Sequence, residues 1–280
     1  MFRRIISVLF ALASVCVVAS ANTAIIENIG ENRYKAIGLI PEIYNKANSD
    51  LSDLRIIDKN GEYVPYFIRS GYQTGRREKL TPEFRTEEKD RETRIYIEGL
   101  KNLRLGEITV GTDSMFRRVV EVSSFGIRRE LYNLSFGDTV YRDTAIPFDR
   151  DTGREDILTL IIYNGDDRPI NITGIEVWYY ADELVFEGGE GETYTLRFGA
   201  DSGVKAPVYD IVKYEDEILK GNIDLLEIHS ITFEEIQPEP KPEPEQYDFK
   251  MIFNIVVMAV AALLGVLILL KLRKNAGTQG

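Results

Sequence analysis

Short runs in which apolar and polar residues alternate, cut by Gly and Asp/Asn, recur through the middle of the chain. Period-two runs of this length predict strands, because successive side chains leave a strand on opposite faces. Leu54-Arg55-Ile56-Ile57, the bend Asp58-Lys59-Asn60-Gly61 and the stretch Glu62 to Ile68 read as a β-hairpin with Asn-Gly in its turn. Further strands are expected at Thr93 to Ile97, Ile108 to Val110, Val119 to Ser123, Ile157 to Tyr163, Ile175 to Tyr179, Leu184 to Phe186 and Tyr194 to Phe198. Asn164-Gly165-Asp166-Asp167 and Gly188-Gly189 supply turns between them. Pro41 to Ala47 and Lys213 to Leu219 predict short helices. Arg76 to Glu92 carries dense charge of both signs, with Leu80 and Phe84 as its large apolar residues, and reads as a solvated loop or a binding loop.

Many short strands at near-regular spacing predict a mostly β chain built from two β-sandwich or jelly-roll-like domains. The boundary is placed near Ser123 to Ile127, giving domains at 22–124 and 125–236.

The two ends depart from this pattern. Arg3 and Arg4, the apolar run Ile5 to Val18 and the small residues Ala19-Ser20-Ala21 follow the order of a secretory signal peptide over 1–21. The apolar run is short for a membrane span of ~20 residues. Cys16 is the sole cysteine, and Val15 before it is too bulky for lipoprotein cleavage. Loss of Cys16 with the leader leaves an exported part that must rely on an apolar core. Without a eukaryotic surface context, the sequons Asn133-Leu134-Ser135 and Asn171-Ile172-Thr173 imply no glycan. Near the other end, Met251 to Leu270 is uncharged, with Asn254 as its strongly polar residue, and Lys271, Arg273 and Lys274 follow at once. That is the pattern of a single transmembrane helix at 251–270 with a cytoplasmic tail at 271–280. Gln237 to Gln246 reads QPEPKPEPEQ, whose alternate prolines predict a polyproline spacer of roughly 30 Å at ~3.1 Å per residue within a stalk at 237–250. The Pro-Glu-Pro triplets resemble a bacterial sorting tail, but Glu245 to Lys250 separate them from the helix.

Charge narrows the partners. The chain has a formal net charge of −11, yet Arg3, Arg4, Lys250, Lys271, Arg273 and Lys274 all lie outside residues 22–249, while every Asp and Glu lies inside. The ectodomain is thus more acidic than the whole, and its field opposes nucleic acid and anionic polymers.

Ile40-Pro41-Glu42-Ile43-Tyr44, Leu51-Ser52-Asp53-Leu54-Arg55-Ile56-Ile57-Asp58 and Gly61-Glu62-Tyr63-Val64-Pro65-Tyr66 resemble an uncharacterised family of bacterial envelope proteins. Asn164 to Ile170 and Ala206-Pro207-Val208-Tyr209-Asp210 fit the same pattern. The resemblance implies a signal peptide, a β-rich ectodomain and a C-terminal transmembrane helix, and it implies no activity. Phe116 to Ser123 resembles the opening strand of galactose-binding-like, discoidin-type jelly rolls. That likeness implies a carbohydrate-binding fold and carries over no ligand residue.

Candidate chemistry is sparse. His229 is the one histidine and lies among apolar residues, which reads as a core or interface position and leaves no Ser-His-Asp arrangement. Asp149, Asp151, Glu155 and Asp156 place hard oxygens around one turn and form a candidate Ca2+ site, with an acidic surface turn as the alternative. Trp178 and Tyr180 share one face of a strand and form a candidate sugar platform, with packing into the core as the alternative. Ala261 and Gly265 are spaced for close helix approach. The resulting expectation is a non-enzymatic, membrane-anchored protein outside the cytoplasm that binds an envelope glycan or a membrane protein. A polysaccharide-active enzyme using a carboxylate pair and a structural subunit of an envelope complex are the alternatives.

Overall fold

The computed structural model of the chain describes residues 22–151, 155–199, 203–234 and 249–276. The expected signal peptide, and the expected stalk up to residue 248, lie outside these residues. Between 22 and 234 the period-two runs form strands, as their side-chain alternation requires. In Glu92–Glu98, for example, Thr93, Ile95 and Ile97 are buried while the residues between them are not. The turn after Ile57 forms because the Asp58 carboxylate accepts the backbone N–H groups of Asn60 and Glu62, both at 2.8 Å, and Gly61 takes a φ of 84°.

In chain order the strands are β1 (Asn22–Glu27), β2 (Tyr34–Gly38), β3 (Arg55–Ile57), β4 (Tyr63–Val64), β5 (Tyr66–Arg69), β6 (Arg77–Leu80), β7 (Phe84–Lys89), β8 (Glu92–Glu98), β9 (Arg104–Thr112) and β10 (Phe116–Val122). They continue as β11 (Ile127–Phe136), β12 (Thr139–Asp143), β13 (Ala145–Asp151), β14 (Ile157–Tyr163), β15 (Ile172–Tyr180), β16 (Glu183–Glu187), β17 (Thr193–Phe198), β18 (Ile223–Leu226) and β19 (Ile228–Thr232). Short helices α1 (Pro41–Tyr44), α2 (Gly71–Thr74) and α3 (Glu215–Ile218) connect them. The helices expected at Pro41 to Ala47 and Lys213 to Leu219 are present as α1 and as a 3-10 turn (Asp210–Tyr214) running into α3.

Four sheets result. Two of them, ordered β19-β1-β17-β3-β4 and β18-β2-β16-β5, use strands from both ends of this region. The other two, β12-β11-β10-β14-β8-β7 and β13-β9-β15-β6, use only strands between Arg77 and Tyr180. The architecture is therefore one sandwich-like lobe inserted into another. The outer lobe is made by β1 to β5 and β16 to β19, and the inner lobe enters through 70–76 and leaves through 181–182. This corrects the division into 22–124 and 125–236. Ser123–Phe125 is a 3-10 turn joining the hydrogen-bonded neighbours β10 and β11, and residues 22–234 belong to one compact unit.

The charged stretch from Arg76 to Glu92 is also corrected. It holds the edge strands β6 and β7, pairing with β15 and β8, rather than a loop. Edge position explains the composition: Leu80 and Phe84 pack on the core while Lys and Glu line the exposed side, which discourages pairing with other chains. One continuous buried cluster extends through both lobes, from Ile37, Leu54 and Leu196 of the outer to Leu105, Leu160 and Val177 of the inner. Tyr44 meets Tyr179 edge to face at 6.4 Å across the junction.

Separately, α4 (Phe249–Ala276) is a 28-residue helix. Its described side chains cover 253–268, and over the described residues no helix is long and apolar enough to cross a membrane.

Candidate functional site

The two connections between the lobes enclose a cleft of about 410 Å3, within the roughly 300–1,000 Å3 typical of small-molecule sites. Its floor is fixed by backbone chemistry. Gly71 opens α2 against the backbone of Ala181, where a Cβ would lie 2.2 Å from the carbonyl oxygen, so only glycine fits. The Gly71 N–H donates to Asp182 Oδ1 at 2.9 Å, and the Leu39 N–H donates to the Asp182 carbonyl at 2.8 Å. The Asp182 N–H donates in turn to the Tyr44 hydroxyl at 2.8 Å. Asp182 thus ties the exit from the inner lobe to α1, β2 and α2 of the outer lobe.

Burial gives this residue unusual chemistry. Desolvation raises the Asp182 carboxyl above its ordinary value, opposed by hydrogen bonds from Gly71 and Tyr44. Burial, with the Asp182 charge beside it, also pushes the Tyr44 hydroxyl far up, so Tyr44 stays a neutral donor and acceptor. Arg76, from the entering connection, pairs with the buried Glu183, which Arg69 also reaches at 3.3 Å.

The walls are aromatic. Tyr72 on α2 meets Tyr180 at the end of β15 edge to face, with centroids 5.1 Å apart. The Arg104 guanidinium lies over the Tyr72 ring at 3.5 Å. Arg77 donates to the Tyr180 hydroxyl at 2.7 Å and lies 5.0 Å from its ring centroid. Gly106 leaves room beside that ring, since a Cβ there would already touch it at 3.4 Å. Tyr72 remains 40% exposed, so the aromatic wall faces the opening. Ser70, Asn102 and Asp151 add polar groups to the same lining. Asn102 holds its place with a φ of 62° and donates to the carbonyls of Tyr44 and Ala47 at 2.9 and 3.0 Å. Rings held by cations, with hydroxyl, amide and carboxyl groups beside them, suit a polyhydroxylated ring, which offers C–H faces to aromatics and hydroxyls to polar groups.

The structure sorts the residues expected from sequence. Trp178 and Tyr180 do share a face of β15, both half-buried, while Tyr179 packs in the core. Tyr180 lines the cleft; Trp178 stands outside it, between Lys79 and Glu107 of the neighbouring strands. Of the acidic turn, the Asp149 side chain lies outside the described residues. Asp151 lines the cleft, Glu155 accepts from the Ser124 hydroxyl at 2.7 Å, and Asp156 pairs with Lys101 at 3.2 Å. The described carboxylates thus engage different partners, and among the described residues no group of three or more His, Cys, Asp or Glu is placed to hold a metal ion. His229 is exposed on β19, an edge strand, which corrects the core half of the core-or-interface expectation. Tyr44, Tyr72, Arg104 and Asp182 were not singled out by sequence. Their only common signal is position beside the connections, which becomes visible once the insertion is known.

No family of known proteins, no characterised protein and no solved structure matches this chain.

Proposed function

We propose that the chain is a membrane-anchored protein of the bacterial envelope that binds a glycan in the cleft between its lobes. The observation that carries the glycan reading is the cleft itself, with Tyr72 and Tyr180 as fixed rings beside Asp151, Asp182 and Ser70. Anchoring is supported by α4. Its side chains from Phe253 to Ile268 are exposed all round and apolar apart from Asn254, and in water such a helix needs a cover. Lipid supplies one over the uncharged run Met251 to Leu270, and the basic residues after it set the tail inside.

The test is calorimetric titration of the full-length protein in detergent micelles with oligosaccharides released from bacterial envelope polysaccharide. Saturable binding that falls about tenfold or more in Tyr72→Ala and Tyr180→Ala, and hardly in Trp178→Ala, is expected. Equal affinities in all four proteins would refute the cleft as the site, and absence of binding would turn the search to a protein partner. A second reading is glycoside hydrolysis, favoured by the presence of two carboxyl groups in one cleft. Asp182, whose carboxyl burial raises above its ordinary value, would in its protonated form give a proton to the leaving oxygen, while Asp151 takes one from the attacking water. New reducing ends during the titration, lost in Asp182→Asn, would select it.

A further inference from the structure

A second hollow, of about 570 Å3, adjoins the cleft, because Ser49 and Asn102 line both. Its character is different. Lys46, Lys101 and Lys205 line it from three separate segments, and Asp50 is the one acidic residue among its described lining residues. In a chain with 45 acidic and 34 basic residues, three cations around one hollow run against the overall field. Among the described residues, two of them have no hydrogen bond or ion pair at their ammonium groups. Lys46 and Lys205 are exposed, and Lys205 contributes its carbonyl, accepting from Arg55 at 2.9 Å. Lys101 reaches Asp156 at 3.2 Å, but Asp156 is 79% exposed, so that pair is solvent-screened and readily exchanged for another anion. The Asp50 carboxylate is turned to its own loop, where it accepts the Ser52 N–H at 3.1 Å.

The aromatic cleft and the cationic hollow are therefore neighbours of two chemistries that share Ser49 and Asn102, and together they can serve as one groove for an extended ligand. Resting on the glycan reading above, we infer that the ligand is an acidic oligosaccharide, with one ring against Tyr72 and Tyr180 and a carboxylate- or phosphate-bearing neighbour in the lysine hollow. A neutral glycan leaves Lys46 and Lys205 without a counter-charge among the described residues and Lys101 with the exposed Asp156, whereas an acidic one engages all three and keeps its anion away from Asp151 and Asp182. Charge thus fixes the direction of the chain in the groove as well as its class.

The test uses the full-length protein in detergent micelles and a panel of matched tetrasaccharides. Gluco-, galacto- and manno-configured chains are each supplied with C6 as hydroxymethyl or as carboxylate. For the configuration that binds, the carboxylate form should bind about tenfold more tightly or better, and rising salt should erode the preference. The variant carrying Lys46→Gln, Lys101→Gln and Lys205→Gln should bind both forms with the neutral form's affinity, while Tyr72→Ala weakens both forms alike. Equal affinity for the two forms, or a preference that survives the triple substitution, would overturn the inference and leave the cleft reading intact. Failure of every sugar to bind would remove the cleft reading and this inference together.

Discussion

The most buried charge among the described residues is outside the cleft lining, and its removal gives a sharp stability test. Lys35 on β2 is fully buried, and its ammonium lies 2.7 Å from Asp224 Oδ2 on β18. The same carboxylate accepts the Asn32 N–H at 2.7 Å and the Asn32 side-chain amide at 2.5 Å, and these bonds together hold its pKa below the usual carboxylate range. Lys35 and Asp224 stand opposite each other in the pairing of β2 with β18, the parallel pair among otherwise antiparallel ladders. Asp224→Ala leaves the ammonium without its anion in a dry site. Breaking a buried pair from one side costs about 3–5 kcal/mol, and we take about 3 because Asp224 is 22% exposed. At roughly 2–4 °C per kcal/mol for a unit of this size, Tm should fall by about 6–12 °C. Lys35→Met removes the charge itself and leaves Asp224 its Asn32 donors and some water, so it should cost about 0–2 kcal/mol. The double variant should then resemble Lys35→Met, with a coupling of about 2 kcal/mol or more. Urea unfolding followed by far-UV circular dichroism and by Trp178 fluorescence measures these values. Trp178 belongs to the inner lobe, so coincident transitions would also show that damage in the outer lobe unfolds both, as the shared core implies. An Asp224→Ala variant within about 1 kcal/mol of the parent, or additive single effects, would refute the argument.

Other outcomes follow from the lobe junction. Gly71→Ala forces a Cβ onto the Ala181 carbonyl and should lose about 1–3 kcal/mol and weaken glycan binding; unchanged melting would mean that the connections are not tightly apposed. Tyr66, its hydroxyl pushed up to about 12 by burial, donates to the Leu54 carbonyl at 2.7 Å, so Tyr66→Phe should cost about 1–2 kcal/mol in urea unfolding, and no loss would count against that bond. Asp182 has a pKa raised above 3.8, so between 3.8 and the folded value the folded state holds a proton that the unfolded state releases. Its burial penalty is full above the folded pKa and is relieved as pH falls through that value towards 3.8. Asp182→Asn keeps an acceptor for the Gly71 N–H and lacks the penalty. Its Tm relative to the parent should therefore be highest near neutral pH and decline on acidification, and a pH-independent difference would reject the shift.

Strands such as β8, β14, β15 and β17 were legible in the sequence because their inward and outward positions alternate, whereas β1, β2, β11 to β13, β18 and β19 were not picked out. Partnership was not legible, because period two says which side chains face a core and nothing about which strand lies alongside. Arg76 to Glu92 shows the cost of reading local polarity alone: two edge strands look like a loop when only one or two inward positions per strand need be apolar. The insertion was hidden for a related reason. Its proof lies in β1 with β17 and β2 with β16, pairings between residues far apart along the chain, and no composition change marks residues 70 or 182. That same topology explains why the cleft residues escaped notice. A lobe inserted at two adjacent points must bring its entry and exit together, and the exposed peptide groups there need partners. Gly71, Tyr44 and Asp182 satisfy one another at that crossing, while Tyr72 and Tyr180 flank it from the two connections. Tyr180 and Asp151, drawn from unrelated sequence patterns as a sugar platform and a calcium turn, meet there as well. The site is thus a consequence of how the lobes are joined, and substitutions that loosen the joint should reach ligand affinity without touching a ligand-facing side chain.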